Sequence, residues 1–290
     1  MKQVLITGGT GFFGRSVLDY FSRHPGAYRF TLLSRHALTP GDKILSQAEH
    51  IACDVRDLSA IPPRFDVILH FASPLLGMAS DEETERTILQ GTQAVARLAQ
   101  ASGATLLFAS SGVVYGPSAT PISEEMTPAP TSGYGRAKLA SERYFQACGL
   151  EVKIARCFSF IGPFLPRSAH FAIGNFIDDA LAGREITIRG DGSPRRAYLY
   201  ADDLVEWLFA ILERGECARP YNVGSDQALS ILDLAHLVRD TLHSSSAIRI
   251  LGGSGFGAAP AYIPSIARAR AELGLSPRVA LADAILKSAR

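Results

Sequence analysis

The sequence predicts an α/β fold: a doubly wound parallel sheet carrying a smaller, discontinuous C-terminal lobe. Three observations predict it. Short apolar runs alternate with longer amphipathic segments up to about residue 160, which is the pattern of successive βα units. The first of those runs leads straight into a glycine-rich turn, "TGGTGFFG" (Thr7–Gly14). Beyond residue 160 the rhythm breaks into shorter pieces. Residues 1–160 are therefore expected to form the sheet domain. Residues 161–290 are expected to form mainly a second lobe, with some segments returning to the first and a cleft between them.

Bulk properties are consistent with that architecture. With 290 residues, 47% hydrophobic and 20% charged, the chain can bury a large core. A net charge of +1 excludes the basic footprint of a nucleic-acid binder. No apolar run approaches the roughly 18 residues of a membrane span, and "VLI" after Lys2 and Gln3 is too short for a signal peptide. A soluble, cytoplasmic protein without a membrane partner is expected. Cys53, Cys148, Cys157 and Cys217 are widely spaced, with no zinc-like pattern, so structural thiols and no metal site are expected.

Strands are expected at Val4–Ile6, Phe30–Leu33, His50–Ala52, Val67–Phe71, Thr105–Ala109 and Val152–Cys157, each a short apolar run. Asp81–Ala101 and Tyr134–Gln146 carry apolar residues three and four apart and read as helices. In the second lobe, "NFIDDALAG" reads as a short helix ended by Gly183. "EITIRGDGSPRRAYLY" reads as two strands joined by a Gly-Asp-Gly turn, and "ADDLVEWLFAILERG" as an amphipathic helix starting at Ala201 or Asp202. Gly252–Pro264 is rich in glycine and proline and reads as a loop.

In the glycine-rich turn, Gly9, Gly11 and Gly14 satisfy G-x-G-x-x-G, and Gly8, Gly11 and Gly14 satisfy G-x-x-G-x-x-G. Glycine there permits a tight turn, close approach of a pyrophosphate and close helix–strand packing. The helix opening near Phe12 and Phe13 would aim its free N–H groups at the phosphates. Gly9–Ser16 also approaches a nucleoside-triphosphate loop, but Arg15 stands where that loop needs lysine. The sheet is thus read as Rossmann-type, with a dinucleotide as ligand. About twenty residues on, an NAD site presents an acid to the ribose. This chain offers Ser34 and Arg35 in "FTLLSRHAL". A guanidinium fork and a hydroxyl favour a 2′-phosphate, so NADP is expected over NAD.

The second constellation is "SGYGRAKLASERYF", which places Tyr134 and Lys138 four residues apart on one helix face. A neighbouring ammonium is expected to lower the phenol pKa and fit it for proton transfer. Ser111 closes a predicted strand at the edge where parallel sheets present ligands, and its hydroxyl could hydrogen-bond a carbonyl as charge develops.

With these residues in place, the chain resembles the extended short-chain dehydrogenase/reductase family, in its NAD(P)-dependent nucleotide-sugar epimerase/dehydratase branch. The likeness runs in order through "TGGTGFFG", "DVRD" (Asp54–Asp57), "HFAS" (His70–Ser73), "SSGVVYG" (Ser110–Gly116), "YGRAK" (Tyr134–Lys138), "GDGSPRRAYLYADDL" (Gly190–Leu204) and "YNVG" (Tyr221–Gly224). The resemblance implies catalytic Ser111, Tyr134 and Lys138, with Lys138 also holding the nicotinamide ribose. It implies Asp54 and Val55 at the adenine, Ala72 and Ser73 along the cofactor, and a nucleotide-sugar substrate met by Arg196 and Asn175. It further implies a homodimer formed through the two long helices.

Departures from the family pattern narrow the chemistry. Dehydratases carry Asp-Glu directly after the catalytic hydroxyl residue; Gly112 and Val113 stand there and move no protons. Ile88 replaces a usual Asn, Ser159 replaces another in "RCFSFIGP", and "AAPAY" (Ala258–Tyr262) replaces a second diphosphate arginine. Reduction of a keto group, at C4 of a nucleotide-linked deoxysugar, is the expected reaction. Epimerisation with NAD or NADP is the alternative, and a non-catalytic dinucleotide sensor is an alternative of another class. Selectivity for the sugar is expected to lie in Pro74–Met78, Phe164–Asn175 and Gly252–Pro264.

Overall fold

The structure is a computed structural model describing residues 1–38, 41–74, 80–118, 120–167, 171–252 and 261–289. It divides into two compact units. The first comprises Met1–Gly116, Thr127–Cys157 and Val205–Tyr221; the second comprises Pro117–Met126, Phe158–Leu204 and Asn222–Arg290.

The first unit is built from β1 (Lys2–Thr7), α1 (Phe12–Arg23), β2 (Tyr28–Ser34), β3 (Glu49–Ala52), β4 (Val67–His70), α2 (Asp81–Ser102), β5 (Thr105–Ser111), α3 (Gly133–Ala147) and β6 (Val152–Cys157). Further along come β7 (Phe160–Ile161), α4 (Ala172–Leu181), β8 (Ile186–Ile188), β9 (Arg195–Ala197), β10 (Leu199–Tyr200), α5 (Ala201–Arg214) and β11 (Pro220–Val223). A seven-stranded sheet runs in the order β11, β6, β5, β4, β1, β2, β3. Neighbours pair in parallel, with Val4 opposite Phe30, Ile6 opposite Leu69 and Phe108 opposite Ile154. The chain winds outward from β1 to β3, then crosses to β4 on the other side of β1. That reversal opens a crevice beyond the strand ends, where such sheets bind ligands.

Both sheet faces are buried, as parallel strands require. Leu5, Ile68, Leu106, Phe108 and Ile154 pack with Val95, Leu98, Ala99 and Phe145 of α2 and α3. On α1 and α5, Phe21 meets Phe209 with ring centroids 4.7 Å apart, and Tyr20 donates to Glu206. α2 has strong end signals: Ser80 caps its first turn by accepting from Glu83 N, and Gly103 ends it at φ 63°.

The second unit corrects one expectation. "EITIRGDGSPRRAYLY" contains three strands, β8, β9 and β10, and β8 and β9 do not pair with each other. β8 pairs in parallel with β13 (Ile248–Ile250), and β9 pairs antiparallel with β12 (Ala228–Ser230). Asp191 accepts from Ser193 N and Oγ, and Gly192 takes φ 79°, so the turn turns the chain away instead of folding it back. The unit is completed by α6 (Ile231–Thr241), α7 (Ala267–Leu273) and α8 (Leu281–Ser288). Of the segments expected to shape sugar selectivity, 75–78, 168–170 and 253–260 lie outside the described residues. No described helix is long and apolar enough to cross a membrane.

Candidate active site

The β1–α1 turn sits at the topological switch. Gly8 takes φ 71°, and a Cβ on it would stand 2.8 Å from the Ala72 backbone. A Cβ on Gly14 would reach 2.2 Å from the Gly9 carbonyl oxygen. The turn is therefore closed by backbone-to-backbone contacts that only glycine allows. Gly11 is the N-cap of α1 without a side-chain cap, and the first turn contains no acid. The N–H groups of Phe12, Phe13 and Gly14 are thus oriented for an anion. Phe13 packs edge-on against Phe71, with centroids 5.4 Å apart, tying the turn to the segment after β4. Thr7 Oγ1 stands 2.8 Å from His70 Nδ1 and accepts from Ala72 N at 3.3 Å. These residues fit a dinucleotide's pyrophosphate. Gly14→Ala is expected to cost about 1–3 kcal/mol of stability by overpacking. It should also remove dinucleotide binding, read by thermal unfolding and by NADPH fluorescence titration.

The other half of the site lies at the ends of β5 and the start of α3. β5 runs two residues further than expected, through Ser111, which pairs with Cys157 of β6. Ser111 Oγ accepts from Val113 N at 3.4 Å, which leaves its own proton available. α3 is capped by Ser132 and begins with Gly133, Tyr134 and Gly135. A Cβ on Gly133 would strike Asp81, and one on Gly135 would stand 2.9 Å from Pro130 and 3.0 Å from Val113 O. Flanking glycines thus let Tyr134 come down close to β5.

Lys138 is buried, its Nζ donating to Ala109 O at 2.9 Å and lying 5.6 Å from the Tyr134 ring centroid. The ammonium sits beneath the phenol ring, not at its hydroxyl. The expectation that it lowers the Tyr134 pKa is therefore corrected. Burial pushes the phenol up to about 12, the Ser73 and Ser111 hydroxyls pull it back, and Cys157 adds to the rise. Burial likewise pushes Lys138 down to about 8. Tyr134 is a proton donor at neutral pH.

Sequence reasoning missed the support under this site. Glu142 follows Lys138 by four residues on the same face of α3. Its carboxylate receives Arg156 Nε at 3.0 Å and Nη2 at 2.6 Å, together with the Ser110 hydroxyl. Arg156 also lies over the Tyr115 ring at 4.7 Å. The spacing of Tyr134, Lys138 and Glu142 was a usable signal; the Arg156 partner was not legible. Cys157 was noted only as a structural thiol, yet it lies in the electrostatic field of Lys138 and Tyr134, and burial pushes its thiol up to about 12.

At the ribose end, Ser34 Oγ donates to His36 O at 3.0 Å and stands 2.8 Å from His50 Nε2. Its single proton is taken up locally, so the expected hydroxyl donor for a phosphate is not available. Arg35 is exposed. Asp54 is held by Arg56 through Nε at 3.0 Å and Nη2 at 2.7 Å. The Arg56 hydrogen bond, and at longer range Arg35, hold its carboxyl below the usual range. Val55 packs where a Cβ on Gly91 would stand, at 3.2 Å.

In the second unit, Asn175 lines a cavity of about 250 Å³ together with Phe176, Thr187, Arg189, Gly190 and Ile231. Arg196 and Ser159 are not among the cavity's lining residues. The Arg196 guanidinium lies 5.7 Å over the Tyr262 ring and donates to Arg195 O. Ser159 offers its carbonyl to Leu199 N.

A phosphate-binding turn at the switch of a seven-stranded sheet, beside a protonated tyrosine and a strand-end serine, defines a dinucleotide-dependent oxidoreductase of the α/β class. The model of the NAD dependent epimerase/dehydratase family matches residues 4–224, and the chain belongs to that family. UDP-glucuronic acid decarboxylase 1 of Xenopus tropicalis is 30% identical, over 99% of this chain and 71% of that protein. The dTDP-glucose 4,6-dehydratase of Streptomyces venezuelae, solved with NAD bound, is 25% identical with a TM-score of 0.86, over 99% of this chain and 96% of that one. The UDP-glucose 4-epimerase of Thermotoga maritima, solved with UDP-glucose, shares the fold at 22% identity and a TM-score of 0.86, over 99% and 97% of the two chains. This protein is an extended short-chain dehydrogenase/reductase enzyme.

Proposed function

We propose that this enzyme reduces a keto group, at C4, of a nucleotide-linked deoxysugar, using NADP. The observation that carries the reading is the meeting of Ser111 and Tyr134 at the end of β5, with Gly112 and Val113 where a dehydratase keeps its acid and base. The buried carboxylate nearby, Glu142, is engaged by Arg156 and Ser110. A carbonyl brought to this site meets hydroxyl donors and one proton source, which suits reduction and gives dehydration no base. The reduced nicotinamide, when bound, supplies the hydride. Ser111 polarises the carbonyl oxygen and Tyr134 protonates it, while the Lys138 ammonium beneath the ring would hold the nicotinamide ribose. The Gly8–Gly14 turn holds the pyrophosphate, and the Asn175 cavity supports a nucleotide base as the substrate's handle.

Preference for NADP rests on Arg35 and on the lack of an acid at the end of β2. Arg35→Ala is expected to weaken NADPH by about 10- to 100-fold, the value of one charge-assisted contact. NADH should be nearly unaffected, and steady-state kinetics with both cofactors check this. The comparisons favour a second reading, epimerisation or decarboxylation of a nucleotide sugar with retained NAD. NADPH oxidation dependent on an added 4-keto sugar nucleotide supports the reductase. Purified protein that retains NAD and converts UDP-glucuronic acid without net cofactor turnover establishes the second reading instead.

A further inference from the structure

Two side-chain oxygens among the described residues are buried without a hydrogen-bond partner: Ser73 Oγ and Ser102 Oγ. Ser102 closes α2 just ahead of β5, so it lies toward the end of that strand opposite Ser111. Ser73 follows β4, and its placement is over-determined. Ala72 N is bound to Thr7 Oγ1, and the Ala72 backbone touches Gly8. Pro74 restricts Ser73 to extended conformations.

The parallel register gives this hydroxyl a precise counterpart. His70 of β4 pairs with Phe108 of β5. Ser73 and Ser111 each lie three residues beyond that pair, Ser73 in the segment after β4 and Ser111 at the end of β5. Both reach the Tyr134 hydroxyl closely enough to act on its ionisation. Ser111 Oγ is engaged by Val113 N, whereas Ser73 Oγ has no close hydrogen-bond partner and lies within reach of the Tyr134 hydroxyl. An unpaired buried hydroxyl beside the proton donor is costly unless a ligand completes it.

We propose that Ser73 is a further catalytic residue: its hydroxyl binds the reacting oxygen of the substrate, so that one serine in the segment after β4 and one at the end of β5 hold that oxygen while Tyr134 transfers the proton. A keto oxygen accepts two such hydrogen bonds through its two lone pairs. The resulting carbinol keeps both contacts, so the arrangement serves hydride transfer in either direction. The proposal rests on the reading of Tyr134 as proton donor, and its test separates the two.

Ser73→Ala, Ser73→Thr and Tyr134→Phe are compared in steady-state kinetics, thermal unfolding and NADPH titration. Ser73→Ala is expected to lower kcat roughly 10²-fold, as for loss of one oxyanion donor, a loss far larger than any change in NADPH affinity. Its melting temperature should be equal or higher, because an unpaired polar group has been removed. Ser73→Thr, which keeps the hydroxyl, should recover much of kcat. Near-full kcat in Ser73→Ala, while Tyr134→Phe is inactive, overturns the role of Ser73 alone. A kcat loss accompanied by an equally large loss of NADPH affinity or by a lower melting temperature also overturns it, in favour of a structural role. Retained activity in Tyr134→Phe overturns the Tyr134 reading itself.

Discussion

Replacing Tyr134 with phenylalanine is expected to lower turnover by about 10²–10⁴-fold, the range for loss of a positioned acid, while leaving the fold intact. The hydroxyl makes no hydrogen bond that the helix needs: α3 is held by Ser132, by Gly133 N on Asp81, and by Lys138 on Ala109 O. Stopped-flow or steady-state measurement of NADPH oxidation provides the check. Lys138 adds a pH signature. With its pKa pushed down to about 8 by burial, the ammonium is lost as pH rises through that value, and turnover should fall there. Stability should move the other way. Between pH 8 and about 10.4, the ordinary lysine value, the unfolded chain binds a proton on Lys138 that the folded chain does not. The contribution of Lys138 to stability therefore increases with pH across that window. Activity loss near pH 8 without unfolding is the expected combination, and Lys138→Met should abolish the activity step and the stability trend together.

The second large effect concerns Glu142. Glu142→Ala is expected to destabilise the protein by about 3–5 kcal/mol, because it leaves the Arg156 guanidinium buried and uncompensated. Glu142 is 1% and Arg156 5% exposed, so water cannot replace the lost partner. Against a typical total of about 5–15 kcal/mol, that is a large share, and urea unfolding will show it as a lower midpoint. Turnover should fall as well. Ser110 loses its acceptor, and Ser110 immediately precedes Ser111, the hydroxyl proposed to polarise the carbonyl, at the end of β5. The double change Glu142→Leu with Arg156→Met removes both charges and should recover most of the stability, since apolar replacement of a buried pair is often neutral. Recovery of stability without recovery of turnover would assign the pair a positioning role toward Ser111.

Much of this protein is determined by short-range rules. Short continuous apolar runs specify β1 to β6 and the 3.6-residue period specifies α2 and α3, to within a few residues, because parallel strands are buried on both faces and these helices on one. Gly8, Gly11 and Gly14 mark the phosphate turn because no other residue accepts its backbone angles and contacts. Tyr134 and Lys138 reveal themselves by helical spacing together with Ser111 at a strand end and the glycine-rich turn. By the same spacing Glu142 was within reach of sequence reasoning, one further turn along that face.

What only the tertiary structure decided depends on partners far apart in the chain. The Gly-Asp-Gly turn looked like a hairpin, but β8 and β9 pair with strands drawn from residues 228–250, and local turn chemistry cannot choose among distant edges. Ser34 looked like a free donor until His50, brought alongside by β2–β3 pairing, took up its hydroxyl. Lys138 looked like an electrostatic aid to the Tyr134 hydroxyl, yet burial places it beneath the ring, and desolvation outweighs any Coulombic help. Ser73 and Ser111 are separated by 38 residues of sequence and become equivalent only through the parallel register of β4 and β5. Sequence periodicity selects which residues are buried; the register of the assembled sheet selects which buried hydroxyls meet.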